Sequence, residues 1–289
     1  MTWGRSLRLA HLTDIHVQPE KRADKGMAAC VKHVMAMGDR PQLVVTGGDL
    51  IFDGFAQEHA RTKMLWEMFG RTMKDECGLP VLHTMGNHDI WGWNKGKSKT
   101  TGDETGWGKK WFCEMAQRDT TYHASDHGRW RVIQLDSVQH DPDDANGYIG
   151  MVDEAQWAWL ENQVKSLPAG MSIAIVSHIP IMTVTHLVEP SQVKKHKYEI
   201  DGGVMHVDAA KLHRMFRESG KVKLCLSGHI HRNDRIEMDG VTYICDGAVS
   251  GSWWKGRGDR CDEGYGVIDL FDDGSFKHEY VAYGWKAEG

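Results

Sequence analysis

The chain has 289 residues, of which 40% are hydrophobic and 26% charged, with 35 Lys+Arg against 40 Asp+Glu for a net charge of -5. That balance is ordinary for a folded globular protein and excludes a broad basic field for gripping nucleic acid. No apolar run approaches the roughly 20 residues that cross a bilayer, and the opening MTWGRSLRLAHL lacks a secretory signal's apolar stretch and cleavage site, so the expectation is a cytoplasmic chain.

In chain order, the first element is the apolar run Leu7–Leu12. A helical stretch from Ala23 to Met37 follows, with Met27, Val31, Val34 and Met35 on one face and Gly38 as its stop. QLVVTGGD (Gln42–Asp49) reads as a buried strand, Ala56–Lys74 as a helix with Met64, Leu65, Met68 and Phe69 inward, and PVLHTMGNHD as a third strand, a βαβαβ opening. Residues 91–112, WGWNKGKSKTTGDETGWGKKWF, follow neither periodicity and are long for a structureless connection, as in a disordered or a functional loop. Beyond Tyr122, YHASDHGRWRVIQLDS reads as two strands around Asp126–Gly128. Asp153–Leu167 reads as a helix with a capping box of Asp153 and Gln156 and a stripe of Trp157, Leu160, Val164 and Leu167. MSIAIVSHIP and VKLCLSGHIH are β-rich runs on either side of a helix at Asp208–Ser219, where Leu212, Met215 and Phe216 face inward. The turn pairs Asp239–Gly240 and Asp273–Gly274 divide the tail, 232–289, into β-hairpins. No repeat, low-complexity tract or separating linker interrupts the chain, which points to one domain over 1–289.

The six cysteines are scattered without a C-x-x-C pair, so neither a zinc ribbon nor a disulfide framework is indicated. Seventeen histidines raise the prior for a metal or acid/base site without locating it. Position locates it. Five apolar runs end in metal-competent side chains: LAHLTDIH (Asp14, His16), LVVTGGD (Asp49), VLHTMGNHD (Asn87, His88, Asp89), IAIVSH (His178) and LCLSGHIH (His229, His231). Strand ends of an α/β sheet fix such groups where loops alone would leave them mobile.

In Asp14-x-His16 and His229-x-His231 the two-residue spacing puts both side chains on one side of an extended backbone. Gly47, Gly48, Gly86 and Gly228 stand just before the ligands, where a strand turns sharply or another group approaches closely. A mixture of carboxylate, imidazole and amide suits Mn, Fe, Zn, Co or Ni better than Ca or Mg. A lone D-x-H or G-D is more often surface chemistry or a cap. His178 alone reads as a core histidine, but five motifs in order do not.

The ordered set D-x-H, G-D, G-N-H-D, H, G-H-x-H, running from Asp14 to His231, resembles the calcineurin-like metallophosphoesterase superfamily. The resemblance implies an α/β (α+β) fold, a four-layer αββα sandwich of two mixed sheets, with a two-metal centre at one edge and 91–112 beside it. It implies one metal held by Asp14, His16, Asp49 and His231 and a second by Asp49, Asn87, His178 and His229, with Asp49 bridging. The ions expected are two of Mn, Fe or Zn.

The implied reaction is hydrolysis of a phosphoester by a metal-bridging hydroxide, with His88 as general acid. Asp89 either orients His88 or caps a turn. The superfamily's protein phosphatases carry arginines after the G-D and G-N-H motifs, whereas here GGDLIFDGF and GNHDIWGWN have none, which resembles the bacterial phosphodiesterase branch. A phosphomonoesterase and a silent scaffold of the same fold are the alternatives. The expected partner is a small, possibly nucleotide-like phosphoester, with no stable nucleic-acid complex. Trp91, Trp93, Trp107, Trp111, Trp253 and Trp254 either stack on a substrate ring or, the favoured reading, pack loops. His11 and His83 read as packed; His123, His127, His140, His186 and His206 read mostly as surface.

Overall fold

A computed structural model describes residues 4–188, 193–258 and 261–287. Its first half runs β1 (Arg5–Leu12), α1 (Ala23–Met35), β2 (Leu43–Gly47), α2 (His59–Glu76), β3 (Val81–Thr84), α3 (Lys95–Ser98), α4 (Lys110–Ala116), β4 (His123–His127), β5 (Trp130–Gln134), β6 (Val138–His140) and β7 (Tyr148–Gly150). Then come α5 (Glu154–Lys165), β8 (Ser172–Val176), β9 (Val193–Lys194), β10 (Lys197–Tyr198), α6 (Ala209–Ser219), β11 (Val222–Ser227), β12 (Asp234–Met238), β13 (Val241–Cys245), β14 (Gly264–Phe271) and β15 (Phe276–Ala282).

Two mixed sheets result, ordered β15-β14-β1-β2-β3 and β12-β13-β11-β8-β5-β4. In the first, β1, β2 and β3 are parallel; in the second, β13, β11, β8 and β5 are. The period of two explains the layers. Leu7, Leu9, Leu43 and Val45 of the first sheet meet Val132, Ala174, Val176, Leu224 and Leu226 of the second in a shared core. The alternate residues Ala10, Leu12 and Val44 face outward onto α1 and α2, and Ile173 and Ile175 onto α5 and α6. Such two-sided burial is why runs like LVVTG carry no alternation of polarity. The architecture is therefore the expected αββα sandwich, with the C-terminal β14 joining the first sheet beside β1.

Several elements differ in detail from their sequence reading. In α5 the Asp153 side chain caps Gln156 N at 2.7 Å, but the reciprocal half of the box is not made. The Gln156 amide turns inward instead, accepting from Asp136 N and donating to Asp136 O, and so ties α5 to the end of β5. Trp157 is only half-buried, with Lys211 Nζ of α6 3.5 Å above its ring. The 91–112 segment is not structureless: Trp91 and Gly108 exchange backbone hydrogen bonds, Trp91 stacks on Trp111 at 4.9 Å and 9°, and Trp107 Nε1 donates to Gly92 O. Aromatic packing closes this loop where periodicity gave no signal.

Candidate metal centre

All the candidate ligands leave the C-terminal ends of five parallel strands, β1, β2 and β3 from one sheet and β8 and β11 from the other. The chain does not stay extended there. Asp14, His16, Asp49, His229 and His231 all have left-handed backbones, with φ of 55°, 47°, 52°, 71° and 54°. The geometry that aims these side chains is thus a strained turn, not strand alternation. At about 1–2 kcal/mol per residue this strain persists only where surroundings impose it. Asp14 N donates to Gly48 O at 3.0 Å and His16 N to Asp49 O at 2.9 Å, tying the first two loops together. Gly86 is required by close approach, since a Cβ there would overlap Asp49 N and Oδ1, and one on Gly228 would overlap Thr13 Oγ1 and Asp14 Oδ2.

The ring tautomers are set from behind. His178 Nδ1–H donates to Gly47 O at 2.8 Å, His229 Nε2–H to Gly203 O at 2.9 Å, and His231 Nδ1–H to Gly251 O at 3.1 Å. Each ring therefore turns its other nitrogen forward as an acceptor. His178 Nε2 then lies 3.2 Å from His229 Nδ1, 3.1 Å from Asn87 Oδ1 and 3.2 Å from Asp49 Oδ2. On the other side His231 Nε2 lies 3.1 Å from His16 Nε2 and 3.3 Å from Asp14 Oδ1, and His16 Nε2 lies 3.6 Å from Asp49 Oδ2. Asp14 with His16 and His231, and Asp49 with His178 and His229, each bring one donor atom per residue within 4.8 Å of one another.

Acceptors converging at these distances repel unless a cation lies among them, so the residues fit a metal pair. The electrostatics say the same. Burial alone pulls His178 down, yet Asp49 and Asp14 outweigh it and raise the ring to about 9, the response of a cluster that demands positive charge. Burial opposes ionisation of Asp14 and Asp49, but the surrounding imidazoles hold both below the ordinary carboxylate range. His229 is pushed down to about 3 by burial and by its neighbour His178, which keeps it a neutral donor.

His88 sits at the junction, its backbone N–H donating to Asp49 Oδ1 at 2.8 Å and its ring 5.0 Å from that of His16. The structure separates it from Asp89. Both Asp89 oxygens accept backbone N–H groups, from Leu50 at 2.8 Å and Ile51 at 3.2 Å on one and from Gly86 at 2.8 Å on the other, so Asp89 caps the turn rather than orienting the imidazole. The carboxylate that faces His88 is Asp53, whose Oδ1 is 3.6 Å from His88 Nδ1. Sequence reasoning passed over Asp53; a second carboxylate four residues after Asp49, in GDLIFD, was the available signal.

The tryptophans divide. Trp91 is 2% exposed and Trp254 is fully buried, so both pack. Trp254 Nε1 donates to Ile15 O and His16 O, which buttresses a ligand loop. Trp253 is the one of the six whose ring lies against the rings of candidate ligands, its centroid 3.9 Å from His16 and 5.3 Å from His231. Among the remaining histidines, His11 is buried on Asp246, and His206 and His186 are also buried, against the surface reading. Ser177, His206 and Asp208 form a chain at 3.1 and 2.9 Å, but Ser177 is 1% exposed and serves as a brace below His178, out of reach of any substrate.

Known proteins resemble this chain along most of its length. A protein of Rhodococcus erythropolis described as a probable cyclic nucleotide phosphodiesterase is 21% identical over 290 residues, 96% of this chain and 83% of that one. Among solved structures, a dimetal phosphatase of Danio rerio superposes with a TM-score of 0.65 at 14% identity over 97% of both chains. GAP50, the anchor in the inner membrane complex of Plasmodium, superposes at 0.58 with 18% identity, over 98% of this chain and 86% of its own. These likenesses are of fold. The family model of calcineurin-like phosphoesterases matches residues 7–233, and the chain belongs to that family.

Proposed function

We propose that the chain is a dinuclear metal-dependent phosphodiesterase for a small phosphoester, with Asp14, His16, Asp49 and His231 holding one transition-metal ion and Asp49, Asn87, His178 and His229 the other. The observation that carries this reading is the facing of forward nitrogens, His178 on His229 and His16 on His231, around two buried carboxylates. Bound Mn, Fe or Zn ions would supply the charge that neutralises the ester oxygens and the acidity that yields a water-derived nucleophile near neutral pH.

The protein's own part is positioning and proton transfer. Ligands on strand ends keep the charged centre from reorganising during the reaction. Asp49 holds the backbone of His88, so the acid is fixed to the centre it serves. With Nδ1 turned toward Asp53, Nε2 of His88 is left to protonate the departing alkoxide. Burial works against the charged ring, but Asp49 first and Asp53 next raise it above the ordinary imidazole value, keeping the acid loaded.

Family membership supports phosphoester hydrolysis; the preference for diesters rests on charge. Leu50, Ile51 and Phe52 after one motif and Ile90, Trp91 and Gly92 after the other offer no cation, and Asp53 adds a negative charge beside His88. A monoester dianion meets more repulsion there than a diester monoanion. The name of the Rhodococcus relative points to the same class, a cyclic nucleotide being a diester. Metal-stripped protein reconstituted with Mn, Fe or Zn should cleave bis-p-nitrophenyl phosphate with kcat/KM at least about tenfold above p-nitrophenyl phosphate, the factor worth about 1.4 kcal/mol. Faster monoester cleavage would make it a phosphomonoesterase. No cleavage of either with any metal would favour the silent scaffold.

A further inference from the structure

We infer that Trp253, together with Phe52, is a shelf on which this site stacks a planar ring carried by its substrate, a nucleobase or an aryl group next to the phosphoester. The inference rests on the phosphoesterase reading and names the substrate class it leaves open. Trp253 lies where a group leaving toward His88 would pass: its ring centroid is 5.1 Å from that of His88, in an edge contact at 69°, and 5.8 Å from that of Phe52. His16 and His231 cover part of the indole at tilts of 34° and 33°. Yet Trp253 and Phe52 both remain only half-buried, and the side chain of His88 between them and Asp53 is 25% exposed.

Packing does not account for Trp253, because its neighbour already does the packing. Trp254 is fully buried, is anchored on Ile15 O and His16 O, and lies so close to Gly26 of α1 that a Cβ there would overlap its ring. Both tryptophans have left-handed backbones, with φ of 56° and 65°. The anchored residue thus forces its neighbour outward, in a conformation that large side chains avoid unless the surroundings impose it. The outcome is a preformed aromatic surface beside the proposed proton donor. Such a surface favours any planar π system and has little hold on an alkyl chain.

The test is binding of adenosine 5′-monophosphate and of glycerol 3-phosphate to the metal-loaded protein by calorimetry, with metal content measured on every variant. Trp253→Leu keeps an apolar bulk without a ring, and Trp253→Phe keeps a ring. The leucine variant should weaken adenosine monophosphate about tenfold or more, the phenylalanine variant by less than about threefold, and neither should move glycerol phosphate beyond about twofold. Three results overturn the shelf: no binding of the nucleotide by the wild type, nucleotide binding by Trp253→Leu within twofold of wild type, or equal losses for both ligands, which is what a merely structural tryptophan gives. A wild type that stacks the nucleotide as described yet cleaves no diester would refute the phosphodiesterase reading and leave the shelf standing.

Discussion

In the proposed reaction the His88 imidazole, beside Asp49 and Asp53, delivers the proton, and three substitutions separate the roles. His88→Ala should lower kcat by about 10²–10⁴-fold with metal content intact by elemental analysis, since the ring is a proton donor. Loss of metal in that variant would instead make His88 a ligand. Asp53→Asn should cost less, about tenfold, and shift the alkaline limb of the pH–rate profile downward, because removing the charge lowers the pKa of the imidazole it faces. Asp89→Ala should behave differently, losing on the order of 3 kcal/mol of stability by urea unfolding as three backbone N–H groups lose their acceptor. The candidate ligands that the structure brings together were legible in the sequence because each closes an apolar run. What decided between Asp53 and Asp89 was not legible: both follow a ligand closely, and only the strained turn at Asp49 reveals which carboxylate the amides consume.

At the scale of elements, the long helices could be read from periodicity and the buried strands from their continuous apolar runs, and the helices' buried residues agree: Met27, Val31 and Val34 in α1, Leu65, Met68 and Phe69 in α2, Leu212 and Phe216 in α6. The 91–112 loop could not, since its order comes from ring-on-ring contacts between residues that no periodic pattern pairs. The loop over 248–254 is a similar case. Ser250 Oγ donates to Asp14 O, Trp254 clamps His16, and Gly251 orients His231, so a Gly/Ser stretch with no helical or strand signature shapes the centre. Two helix glycines test this packing against plain propensity. Gly70 of α2 has nothing within 4 Å of an added Cβ, so Gly70→Ala should raise stability by about 0.5–1 kcal/mol. Gly26→Ala should lower it by about 1–2 kcal/mol, because overlap with the rigid ring of Trp254 exceeds the helix gain. Equal stabilisation of both variants would mean that Trp254 does not press on α1.

For the molecule as a whole, the two sheets are stitched by Asp246, which follows β13 of one sheet and holds His11 on β1 and His278 on β15 of the other, both at 2.7 Å. Burial would raise this carboxyl, but His278 and His11 bring it down to about 2. A carboxyl depressed on folding contributes stability above its unfolded pKa, near 4, and loses it as pH falls through the folded value. From about pH 4 to about pH 2 the wild type should therefore lose roughly 2 kcal/mol that Asp246→Asn does not, read from urea midpoints. Parallel curves would contradict the stitch. The proposed two-metal centre is tested most directly by metal stoichiometry after reconstitution and dialysis. The wild type should retain two equivalents of Mn, Fe or Zn, His231→Ala and His178→Ala about one each, and Asp49→Ala fewer than one, since Asp49 lies between the two groups. A wild type that holds a single equivalent, or one whose stoichiometry is indifferent to these substitutions, would contradict it.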